Sequence, residues 1–267
     1  MFEPLYVAAT GMNVFEDEMV DITNNLANAR TVGFKKGRVE KESLFTIEKT
    51  FQTQLREQML SQGITPPFGP VEYGTGVRVA ATPKDFSQGT IEITNNPLDL
   101  AIQGEGFFQY TMPDQTIVYG RAGNLHVDNE GNLVDPNGHK LEPGIIIPEG
   151  ATRIIIKRDG AVLASMGNSA ETQEVGQINL VRFYNPAGLK SIGQNLFQET
   201  DSSGPPTIGV ANEEGLGSIN QYSLESSNVD VISEMMRMVM LQRVFDTVSK
   251  AVQSYDGMLT AVDKMKQ

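Results

Sequence analysis

Two apolar seams of heptad spacing stand at opposite ends of the chain, and a fold must give each of them a partner. Leu5, Ala8, Met12, Phe15, Met19, Ile22, Leu26 and Ala29 alternate steps of three and four, which puts them on one face of a helix. Met238, Leu241, Phe245, Val248, Val252, Tyr255, Leu259 and Val262 repeat the pattern near the other end. Each seam covers 25 residues, about 37 Å of helix, too long to lie on a small core. The first helix is expected from about residue 4 to about 30: Pro4 suits the first turn, and Gly33 can take the left-handed conformation that stops a helix. The second is expected to open at Ser227-Asn228-Val229-Asp230, with Ser227 or Asn228 capping free amides and Asp230 facing the positive end of the dipole. Beside its seam runs a second stripe, Val244, Ala251, Met258 and Met265. One partner helix covers one seam, so this stripe calls for another neighbour.

The helix breakers divide the rest. Of 26 glycines only Gly11, Gly33 and Gly257 lie in 1–33 and 226–267, and of 13 prolines only Pro4. The middle is therefore turn-rich and the ends helical. Short β-branched runs at Gly76-Val77-Arg78-Val79, Gly89 to Ile93, Thr116 to Tyr119, Gly144 to Ile147, Arg153 to Ile156 and Gln177 to Val181, with Asn137-Gly138 and Asp159-Gly160 turns, predict an antiparallel β body. The expectation is an α+β chain: a discontinuous coiled-coil domain from 1–33 and 226–267, an extended or hairpin arm over 34–72, and a β-rich domain over 73–225. In the arm Phe45, Ile47 and Phe51 are the candidate anchors. An antiparallel helix pair follows if both helices spring from the same body; a closed intramolecular hairpin is the plainer alternative to a pair that packs among copies.

Chemistry finds little purchase. A net charge of −12 argues against a nucleic-acid partner, since phosphate affinity comes from Lys and Arg. With no cysteine and only His126 and His139, thiolate chemistry is excluded, and no catalytic, cofactor-binding or metal-ligating set can be assembled. Gly104-Glu105-Gly106 begins like a dinucleotide fingerprint, but Gln109 replaces the third glycine, which points to a glycine bend. Asp128, Glu130 and Asn132 alternate like calcium ligands, yet Gly131 comes too early, which points to a β-turn. The histidines are expected at most to pair with acids such as Asp128 or Asp135. The N-terminus lacks the basic and apolar blocks of a cleaved signal peptide.

The most unusual string runs from Asp21 to Lys35. Asn24, Asn25 and Asn28 weaken a free helix, because their side chains compete for backbone groups, so they are expected to bond to something specific. The basic cluster Arg30, Lys35, Lys36, Arg38 and Lys41 follows, read either as a docking surface or as a solvated face. Asn24-Asn25-Leu26-Ala27-Asn28 followed by Thr31-Val32-Gly33-Phe34-Lys35 resembles the bacterial flagellar rod and hook family. So do Tyr73 to Arg78, Phe86 to Gly89, Asn95 to Phe108 and Ser226 to Val229, so that the resemblance spans nearly the whole chain. Length, the segment Ser191 to Phe197 and the arm are most similar to the distal part of the rod; proximal rod or hook is the nearer alternative.

The resemblance implies a structural subunit and not an enzyme: terminal helices lining a rigid hollow tube that carries motor torque, β domains outside, and an arm locking neighbours. It implies a helical homo-oligomer, contacts with other rod proteins, the hook protein and the rings around the rod, and delivery to the basal body in the periplasm by the flagellar type III export apparatus. A secreted β-domain adhesin on a coiled-coil stalk would also suit the periodicities, but not the asparagine string. A peptidoglycan hydrolase would need a convergent acid pair.

Overall fold

The computed structural model describes residues 3–48, 58–61, 72–166, 172–213 and 215–265. The chain is α+β, and its ladders are antiparallel. It divides into two compact units: the first holds Met1–Asn24, Arg38–Thr82 and Ile232–Gln267, the second Asn25–Gly37 and Pro83–Val231.

In the first unit, helix α1 runs Glu3–Ala27 and helix α2 Val231–Met265. The seam residues of α1 are half-buried, with Ile22 fully so, while Tyr6 and Val20 on its opposite side are exposed. Along α2 the same holds: Leu241 is buried and Met238, Phe245, Val248, Val252, Tyr255 and Leu259 are half-buried. The side chain of Val262 lies outside the described residues. Partial burial of this kind contributes less than the ~1.5–3 kcal/mol of a fully buried Leu or Phe.

The described strands of the arm form a two-stranded ribbon, and residues 58–61 are helical. Glu40–Ser43 pairs with Val77–Ala81, and Thr46–Glu48 with Glu72–Gly74. Bonds from Leu44 N to Gly76 O and from Thr75 N to Phe45 O carry the ladder across the step between them. The Gly76–Val79 run, expected in the β body, is thus the arm's return strand. Alternation specifies a strand without naming its partner, and here the register sets Glu42 opposite Arg78, which form an ion pair. Phe45 is 72% exposed. Phe51 and the side chain of Ile47 lie outside the described residues.

The second unit is the β body. Its largest sheet orders Lys190–Gly193, Leu196–Gln198, Ile117–Gly120, Phe108–Thr111, Lys140–Leu141, Leu133–Val134 and His126–Val127. Three further strands, Ala151–Ile156, Ala161–Met166 and Thr172–Gln177, form a meander. Leu100, Ile102, Phe108, Leu133, Leu180 and Ile219 lie in its main core, and Phe107, Tyr119, Phe183 and Phe197 in a second, aromatic one. Two expected strands differ. Gly144 to Ile147 is a loop that buries Ile145 and Ile147, with one bridge from Ile146 to Asn132. Gln177 to Val181 is split around Ile178, whose amide donates to Gly160 O.

The helix boundaries also move. α1 ends at Ala27, and turns close from Ala29 N to Leu26 O and from Thr31 N to Asn28 O. Gly33 has the expected positive φ of 67°, but it serves a crossing and not a helix stop: a Cβ there would sit 2.5 Å from Ala122 N. Residues 25–37 accordingly belong with the β body, where Gly33, Phe34 and Lys35 are buried. Gly33→Ala should therefore destabilise the unit by about 2–4 kcal/mol in urea unfolding. Gly138→Ala, also at positive φ but facing open space, should cost only about 1 kcal/mol.

Candidate subunit-interface site

Of the signature residues of the N-terminal string, Asn25, Gly33 and Phe34 are buried. Asn25 is fully buried; its Nδ2 donates to Gly37 O at 3.1 Å and its Oδ1 accepts from Gly37 N at 2.9 Å. The side-chain amide thus exchanges both bonds with the N–H and C=O of one residue, as a residue on a paired antiparallel strand would. Asn28 Oδ1 accepts from the Thr31 hydroxyl, and Phe34 is buried beneath the Lys84 ammonium. Asn24 is exposed at the surface.

Next to them lies a buried ion triad. Lys35 Nζ donates to Glu225 Oε1 at 2.6 Å and to Ser87 O at 2.7 Å. Glu225 Oε1 also accepts from Gly89 N, and Arg121 Nη1 lies 3.4 Å from Glu225 Oε2 and donates to Gly104 O. The Arg121 guanidinium stacks 5.2 Å from the Phe107 ring centre. Burial holds the Lys35 ammonium below the ordinary lysine range, with Glu225 pulling the other way. Asn228 completes the arrangement: its Oδ1 accepts from Lys36 N and its Nδ2 donates to Asp85 O and Ser87 O. It is therefore a tie between segments and not the cap of α2, which opens at Val231; the Ser227 hydroxyl accepts from Val229 N.

In the first unit, the candidate interface residues fall into two groups. The seam of α1 as far as Ile22 shares one unit with that of α2, and their order is antiparallel: Arg237 Nη2 meets Glu18 Oε1 at 3.5 Å, while Val248 lines a groove with Val7, Ala8, Gly11 and Phe15. Glu18 Oε2 takes Lys41 of the arm as well. The second stripe of α2 is open. Val244, Met258 and Met265 are exposed, and so are Ile232, Met235, Met236, Val239 and Met240.

In sequence the chain is similar to flagellar proteins. Residues 101–164 match the family model of the flagellar hook protein FlgE/F/G D1 domain, and 220–265 that of the flagellar basal body rod FlgEFG protein C-terminal. The chain is 39% identical to the flagellar basal-body rod protein FlgG of Borreliella burgdorferi, with 100% of both chains covered. It is 38% identical to that of Caulobacter vibrioides over 99% of each, and 34% to that of Bacillus subtilis over 100% of each. The chain belongs to the flagellar basal-body rod protein family. Within the rod and hook family it is most like the distal rod proteins, and it is a structural subunit of the flagellar rod.

For a rod-family chain the remaining motifs are structural. Gly104 and Gly106 are a bend at positive φ, with Gly104 packed against Gly217. Asp128 Oδ1 accepts from Glu130 N and Asn132 N, and Asp135 Oδ1 likewise from Asn137 N and His139 N. Both are aspartate-closed turns with Gly131 and Gly138 at positive φ. Buried His139 meets Asp135 at 2.8 Å. Among the described residues no group of three or more acids and histidines could hold a metal, and no helix is long and apolar enough to cross a membrane. Of the basic cluster, Lys35 is buried, Lys36 pairs with Asp85, Arg38 with Glu40 and Lys41 with Glu18, and Arg30 is exposed.

Glu225 and Arg121 escaped the sequence reading. The one signal was position, since Glu225 directly precedes the Ser226–Val229 string; nothing in a sequence pairs an acid with a base 190 residues away. Glu225→Ala leaves Lys35 and Arg121 buried without their anion and should cost about 3–5 kcal/mol in urea unfolding. Lys35→Met leaves the Arg121–Glu225 pair in place and should cost clearly less.

Proposed function

We propose that this rod subunit builds the distal rod as a stiff, hollow helical homo-oligomer that passes motor torque toward the hook. In this reading the two terminal helices pack as an antiparallel coiled coil whose outer stripe is covered by neighbouring copies. The arm, through Phe45, Ile47 and Phe51, reaches an adjacent subunit and removes the sliding freedom that bending needs. Other rod proteins and the hook protein bound the stack at its ends, ring proteins surround it, and the type III export apparatus delivers the chain into the periplasm. The observation that carries the reading is the uncovered row from Ile232 to Met265 on a helix whose opposite face is already occupied. A lone subunit gains nothing from six or more exposed large apolar side chains in line; a stacked one buries them.

Met240 is 69% exposed, so Met240→Asp should leave the subunit's circular dichroism unchanged and its stability within about 0.5 kcal/mol. The same substitution should abolish swimming and leave basal bodies without a distal rod, because a charge buried between copies has no partner. Normal swimming by this variant would sink the proposal.

A further inference from the structure

Two open apolar surfaces belong to the first unit. One is the α2 stripe around Met235, Met236, Val239, Met240 and Arg243. The other is the groove walled by Val7, Ala8, Gly11 and Phe15 of α1, Val77 of the arm and Val248 of α2. Its floor is unfilled: a Cβ added at Gly11 or Gly74 would meet nothing within 4 Å. A growing helical stack requires two different surfaces that fit each other, since a surface that meets its own copy closes a dimer.

Charge decides which surfaces meet. The groove lining itself is uncharged, but helix α1, one of its walls, carries Glu3, Glu16, Asp17, Glu18 and Asp21 and no lysine or arginine, with Glu18 already held by Arg237 and Lys41, so two grooves brought face to face set one acidic helix against another. Two stripes face to face bring one Arg243 against another. Stripe against groove sets Arg243 beside the acidic helix and offers flexible methionine side chains to an irregular, glycine-floored hollow. We propose that the Met235–Arg243 stripe of one copy seats in the Gly11 groove of the next, a head-to-tail contact. This inference rests on the rod-subunit reading above and names the two faces that meet.

Because the sequence contains no cysteine, engineered thiols report the contact without background. Ala8→Cys and Met240→Cys would be placed singly and together in the full chain, expressed in a flagellated strain lacking its own copy, and treated with a short bifunctional thiol reagent. The double variant should give a ladder of covalent multimers, and each single variant none. Dimers from Met240→Cys alone, an internally linked product of monomer size, or no product in swimming cells would overturn the pairing while leaving the rod reading intact. Absence of the chain from the basal bodies of swimming cells would sink the rod reading itself.

Gly11→Leu supplies an independent arm that does not depend on thiol geometry. With open space above Gly11 the subunit should fold as before, and its helix content should hold or rise, since leucine favours helix over glycine. The filled groove should block the next copy, so rods and swimming should be lost. A Gly11→Leu strain that swims normally would show the groove to be unoccupied and overturn the proposal.

Discussion

The carboxylate of Glu225 is the constraint around which the β-rich unit is organised. It is fully buried, and so are the cations that meet it, Lys35 and Arg121. Three charges leave a local excess of one positive, which the carbonyl oxygens of Ser87 and Gly104 absorb. Such a cluster gains little net stability over well-packed apolar side chains, because desolvation offsets most of the attraction. Its effect is on uniqueness: the Lys35 ammonium, the Gly89 amide and Nη1 of Arg121 all find partners in one arrangement, while Arg121 Nε stays buried without one. The family-like strings beginning at Asn24, Phe86, Asn95 and Ser226 each bring at least one group to it or to the neighbouring Asn228.

The first unit repeats the device at lower intensity. Glu18 also takes two cations, Arg237 from α2 and Lys41 from the arm, but at half-exposed positions where water and salt weaken the attraction. Its helices are half-buried along their seams. The β body therefore holds its form from within, whereas the helical unit carries a surface suited to further burial. That contrast fits a subunit whose folding and whose assembly draw on different parts of the chain.

Periodicity made the seams legible, because a heptad pattern needs no knowledge of the partner. Asn25 was legible as a residue seeking a specific bond, although Gly37 as its partner was not. The arm's return strand was misplaced for the same reason: Val77 to Val79 alternate like any strand, and only the Glu42–Arg78 register says what they pair with. Lys35 was read with its basic neighbours because burial of a single lysine among charges leaves no trace in composition. Gly33 was recognised as a left-handed position, but a crossing with Ala122 and a helix stop demand the same backbone angle.

The triad also makes the chain sensitive to its own completeness. Lys35 and Glu225 are 190 residues apart, so the anion arrives only when almost the whole second unit has been supplied. A chain ending short of Glu225 leaves Lys35 and Arg121 without their shared counter-charge. Closure of this long-range link thus acts as a check on length: full-length chains are sealed, and truncated ones are left open to proteolysis.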